Sequence, residues 1–243
     1  MTIGLFLATA GLVLLTNLLV RPVVAQIGDR SVARWVTDSP ENSFQHLRSH
    51  WRVVSGLTAL ILWLGTVRRL PLLEPIASAD GLMGELMGLV FPIFLIGMLA
   101  ALLTELVRID WRSQLLPDPL TIAMTIAGFL FHGFTNPNDL IHSLLGAAVG
   151  YGFLWILAAT YKKLRGVSAM GRGDFAMTAA LGAWLGWQLL PLALSIACVF
   201  GLLMVIVQRI QPQDLSRTSF LSHEVPFGPA LAVGFILAWV PLG

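Results

Sequence analysis

Apolar runs close to the length of a bilayer crossing recur from one end of this chain to the other, and nothing constrains its fold more. They fall at about 2–20, 53–67, 86–107, 119–134, 140–161, 174–187, 189–208 and 226–242. The second, fourth and sixth are short against the roughly 20 residues that cross hydrocarbon. Within lipid every backbone N–H and C=O must be paired inside the protein, which leaves a helical bundle or a closed barrel. These runs are continuous rather than alternating, which selects helices. With 56% hydrophobic and 12% charged residues, the 243-residue chain has no water-soluble core to build. The expected fold is all-α: a polytopic transmembrane helical bundle of about eight spans. It forms a single membrane domain over residues 1–243, with no internal repeat or dividing linker.

Charge orients the bundle. The formal charge is +2, and the basic residues lie between apolar runs rather than along one soluble face. They read as topology signals, and no nucleic-acid partner is expected. The first run has no Lys or Arg before it and Arg21 after it, the reverse of a secretory signal, so it is expected to be a retained span. With the N-terminus outside, segments 21–52, 108–118, 162–173 and 209–225 face the cytoplasm and hold every Lys and Arg except Arg68 and Arg69. Segment 21–52 is then the one sizeable cytoplasmic loop. Its His46 and His50 stand a helical turn apart, but no cysteine or further histidine accompanies them, so a solvated surface is expected rather than a metal site. Cys198, the single cysteine, lies inside an apolar run and reads as a small packing residue. His132, His142 and His223 have no matching ligand set. Neither metal nor cofactor is expected.

Two aspartates stand apart from this background. Asp110 closes one apolar run and Asp174 opens another, and the expected topology places both at the same membrane boundary. Ionisable groups at membrane depth are costly and mark function by default. Two carboxylates brought close do not both ionise, so one keeps its proton near neutral pH, and such a pair can hold a water and split a peptide bond. Structural roles compete with this reading. Asp174 follows Gly-Arg-Gly at a helix start and also reads as an N-cap. Asp118, between Pro117 and Pro119, reads as an even better one. Asp110 falls at a helix end, where the macrodipole disfavours negative charge, so capping does not account for it. Glu105, about one turn earlier, either faces the same cavity in support of Asp110 or makes a structural contact inside the bundle.

Four motifs in order, Asp110-Trp-Arg-Ser-Gln-Leu-Leu-Pro-Asp118, Met170-Gly-Arg-Gly-Asp174-Phe, Ala-Ala-Leu-Gly-Ala-Trp-Leu-Gly-Trp187 and Val225-Pro-Phe-Gly-Pro-Ala-Leu-Ala, resemble the type IV prepilin peptidases. These are membrane aspartyl proteases of the Gly-x-Gly-Asp class. The likeness covers a peptidase-like core at about 85–242. It implies a multi-pass protein of the bacterial inner membrane with its active site facing the cytoplasm. Its partners would be membrane lipid and a type IV prepilin or type II secretion pseudopilin, whose short basic leader it removes. The catalytic pair implied is Asp110 and Asp174. Asp118 would be supporting, and Gly171 and Gly173 would let the chain approach the substrate backbone closely.

The resemblance stops at three places. Bifunctional members carry Cys-x-x-Cys pairs in the first cytoplasmic loop and N-methylate the trimmed pilin, whereas segment 21–52 has no cysteine. Neither the methylation nor its zinc site is carried over. The family's Lys two positions after the second aspartate is Ala176 here, and its Glu-Gly before Met-Gly is Ser168-Ala169. Those departures support one alternative, a catalytically silent relative that binds prepilins. A transporter or proton relay using the same carboxylates is another, although it calls for inverted repeats or broken helices around a midplane site, and the sequence displays neither. The tryptophans near span ends read as interface anchors or packing residues. Gly146-Ala-Ala-Val-Gly150 and Gly182-Ala-Trp-Leu-Gly186 read as close helix contacts.

Overall fold

The computed structural model describes residues 3–33, 48–67, 81–167, 170–210 and 226–240. Among these it is all-helical: α1 (Ile3–Ala33), α2 (Arg48–Val67), α3 (Gly81–Ser113), α4 (Asp118–Thr135), α5 (Leu140–Arg165), α6 (Arg172–Ile210) and α7 (Gly228–Trp239), with a short 3-10 turn at Pro137–Asp139. Leu7–Ala33, Val90–Ser113, Pro137–Arg165 and Arg172–Val207 are each long and apolar enough to cross a membrane, and Val53–Thr66 and Gly228–Trp239 are shorter apolar helices.

Several boundaries differ from the sequence reading. Helix α1 passes Arg21 and Pro22 and continues to Ala33, so the segment expected as a loop from residue 21 begins as helix; His46 lies outside the described residues. At about 1.5 Å per residue, the 31 residues of α1 exceed the roughly 30 Å of hydrocarbon. Two charges along its second half pair with α3: Arg21 with Glu105 at 3.2 Å, and Asp29 with Arg108 at 2.7 Å. Those pairs let the helix run on where composition suggested a stop.

Two expected helices, 174–187 and 189–208, are joined in α6, whose regular geometry breaks at Gly186 (φ 70, ψ 170). The chain reverses there. An unbroken helix would hold Asp174 and Gly201 about 40 Å apart, yet both lie near the start of α7: a Cβ on Gly201 would stand 3.6 Å from Phe227, and Gly228 bonds Asp110, which interacts electrostatically with Asp174. Carbonyls next to the break are taken up by neighbouring helices. The Ser143 hydroxyl donates to Ala183 O, and His132 Nε2 bonds Trp184 O at 2.9 Å. The reversal joins two helical arms rather than breaking one helix at its middle, and it lies at the end of the bundle away from the aspartates.

Helix α3 is the axis of the fold, buried along most of 92–110 and packed by α1, α2, α4 and α7. At its far end Phe131, Trp184, Phe235 and Trp239 form a cluster with ring centroids 5.2–6.1 Å apart. Trp184 and Trp239 are fully buried there and are not interface anchors. Their indole N–H groups donate to Met124 O at 2.8 Å and Leu62 O at 3.1 Å, as a buried indole requires. Trp187 is exposed and donates to His142 Nδ1 at 3.0 Å. Between α5 and α6, Gly146 and Gly182 each lie against the other's carbonyl, leaving no room for a Cβ on either. The close contact expected of those glycines is present. Cys198, expected to be a packing residue, is exposed on α6.

Candidate active site

The last turn of α3, the first turns of α4, α6 and α7, and the end of α1 gather at one end of the bundle. Asp110 is buried there at 4% exposure. Its Oδ2 accepts the backbone N–H of Gly228 at 2.8 Å, at the N-terminus of α7. The end of α3 is an unfavourable place for a carboxylate, but the start of α7 is a favourable one. A Cβ at Gly228 would sit 2.7 Å from Asp110 Oδ2 and 3.0 Å from its Cγ, so only glycine allows the helix to reach the carboxylate. Sequence reading noticed the Gly-Pro motif but not this role. Proline after glycine at a helix start was the available signal; the aspartate partner lies 118 residues away.

Asp174 is not an N-cap. It is the third residue of α6, and its Oδ2 accepts the Gly171 N–H at 3.2 Å, the backward half of a capping box. That geometry leaves the group partly buried and near enough to Asp110 to interact with it electrostatically. Each carboxylate thus rests one oxygen on a helix-start N–H. No further hydrogen bond to either group is seen among the described residues.

The supporting residues divide. Gly171 supplies the N–H that holds Asp174. At Gly173 the close approach is made by the protein's own chain: a Cβ there would stand 2.6 Å from Leu116 Cβ. The 114–117 turn thereby seats the start of α6. That turn begins at Gln114, in the left-handed region (φ 54), whose N–H returns to Asp110 O at 2.9 Å and closes α3.

Asp118 is exposed and makes no capping bond; Pro117 occupies the cap position, and α4 starts on the fixed φ of Pro119. The cap expectation therefore fails. Glu105 is 1% exposed and bonded by Arg21 and Arg108. Of its two anticipated roles, the structure displays the contact inside the bundle. Among the described residues no group of three His, Cys, Asp or Glu is placed to hold a metal ion.

Residues 97–206 match the Type IV leader peptidase family. The chain is 41% identical over 154 residues to a prepilin leader peptidase/N-methyltransferase of Aeromonas hydrophila, covering 60% of this chain and 49% of that one. It is 39% identical over 140 residues to the protein of that name from Neisseria gonorrhoeae, covering 57% and 46%. It is 35% identical over 219 residues to that from Dickeya chrysanthemi, covering 84% and 74%. The chain spans about half the length of the Aeromonas and Neisseria relatives. No solved structure matches it.

Proposed function

The chain belongs to the type IV leader peptidase family, and from that premise we propose that it is an intramembrane aspartyl endopeptidase acting on type IV prepilins or type II secretion pseudopilins. Asp110 and Asp174 are its catalytic pair. The observation that carries this reading is their convergence from α3 and α6, each with a backbone N–H on one oxygen.

In the proposed reaction, the ionised carboxylate takes a proton from a water held between the pair as that oxygen attacks the scissile carbonyl carbon. The protonated partner hydrogen-bonds the carbonyl oxygen and gives it the proton as the tetrahedral diol forms. On collapse the C–N bond breaks, the nitrogen leaves with the proton first taken from water, and the diol hydroxyl returns its proton to the other carboxylate. No metal and no covalent intermediate is needed.

The bundle end that carries the aspartates also carries Arg21, Arg30, Arg112, Lys162, Lys163, Arg165 and Arg172. That asymmetry supports an N-terminus outside and a site facing the cytoplasm. The reversal at Gly186 supports counting the two arms of α6 as separate spans, eight in all. The apolar N-terminal helix of the substrate would lie within the bilayer, with its basic leader at the anionic cytoplasmic surface. The named relatives carry both activities in their names, but a chain with one cysteine lacks the Cys-x-x-Cys pairs, so cleavage without methylation is proposed.

The test is purified protein in lipid with a type IV prepilin, followed by mass spectrometry of the product N-terminus. A trimmed, unmethylated pilin is expected. Bound but uncut substrate would instead establish the silent relative. A proton flux with no effect on any prepilin would establish the transporter.

A further inference from the structure

Helix α5 outruns its neighbour. The antiparallel contacts Gly150 with Thr178 and Gly146 with Gly182 set Asp174 level with residue 154. From there α5 continues to Arg165, and Lys162 stands eight residues, or about 12 Å, beyond the level of Asp174. The projecting end is exposed throughout 159–167 and closes at Gly166 in the left-handed region (φ 75), its N–H on Lys162 O at 2.8 Å. It carries Lys162, Lys163 and Arg165, none with an ion-pair partner among the described residues. Interleaved with these cations are Leu164, 78% exposed, and Val167, 58% exposed.

Cations alone would suit water or any anion, and a positive helix end is common at a cytoplasmic face. Leu164 and Val167 favour lipid, because apolar side chains so exposed at a polar helix end lose their cost at the boundary of headgroups and acyl chains. Below them Phe153, Trp155, Ile156 and Leu157 are also exposed, which continues a lipid-facing surface up to the cluster.

We infer that the projecting end of α5, Lys162 to Val167, is a docking site for anionic phospholipid headgroups, holding the phosphate plane about 12 Å above the level of Asp174. The chemistry recognised is a phosphate monoanion at an apolar boundary. The inference rests on the membrane reading of the fold but not on cleavage.

The experiment is native mass spectrometry of the purified chain equilibrated with mixed micelles of phosphatidylglycerol and phosphatidylcholine, for the wild type, the triple variant Lys162→Gln/Lys163→Gln/Arg165→Gln, and Leu164→Ser. The wild type is expected to retain phosphatidylglycerol selectively. Each removed cation should weaken that preference about fivefold at low salt, and Leu164→Ser should reduce retention of both lipids. Inorganic phosphate should not displace the lipid. All sites changed are exposed, and unchanged elution and melting will identify folded variants. Equal retention of the two lipids, an unaltered preference in the triple variant, or displacement by inorganic phosphate alone would overturn the inference. A protein that selects phosphatidylglycerol but cuts no prepilin would leave it standing and remove the peptidase reading alone.

Discussion

The carboxylate of Asp110 receives the N–H of Gly228 at 2.8 Å, across 118 residues of chain, and so rests on the first turn of α7. The tolerance of this charge at the end of α3 follows from that contact. Gly228→Ala puts a methyl group where the carboxylate now lies. Because a displacement near 1 Å costs about 100-fold in a positioned reaction, prepilin trimming is expected to fall by about that factor while the protein still elutes and melts as a folded bundle. Trimming at the wild-type rate would remove Gly228 from the account.

Gly173→Ala drives a Cβ into Leu116 and is expected to shift the start of α6 with Asp174 on it. Trimming should drop, and the second substitution Leu116→Gly should restore part of it. If the glycine served contact with substrate instead, no second change at Leu116 would bring recovery. Rates of the single and double variants separate the two roles.

The Glu105 carboxylate is shared by Arg21 and Arg108, and Asp29 takes the other side of Arg108. Glu105→Ala removes the buried acid that two largely buried guanidinium groups share. A loss of about 3–5 kcal/mol is expected from breaking such a cluster, read by denaturation in detergent. An unchanged midpoint would mean that the cluster does not hold α1 to α3.

Asp118, exposed and without a capping bond, is expected to accept alanine with a stability change within about 0.5 kcal/mol. Loss of a working cap would cost about 1 kcal/mol. Denaturation midpoints of Asp118→Ala and wild type distinguish these cases.

How far the sequence could be read followed the range of the forces involved. Apolar runs report local burial in lipid, so the helices were legible, as was the close glycine contact between α5 and α6. The approach of Asp110 to Asp174 at one end of the bundle was legible in part, because each stands at the end of an apolar run. Contacts between distant segments were not. Nothing near Glu105 indicates Arg21 as its partner, and nothing near Asp110 indicates Gly228. The continuation of α1 past Arg21 depends on those same remote ion pairs, which hydropathy does not register. Asp118 misled because the helix starts one residue earlier than the cap reading requires, which puts Asp118 inside the first turn and leaves the cap position to Pro117. Cys198 misled because in lipid an apolar residue is as well placed outside the bundle as inside it.

The most direct measurement is the rate of prepilin trimming in lipid by the wild type, Asp110→Asn and Asp174→Asn, with folding checked by elution and melting. The account predicts a trimming wild type and two folded variants in which cleavage is lost, because neither amide can take or give the proton that the carboxylate handles. Full activity in either variant would contradict it.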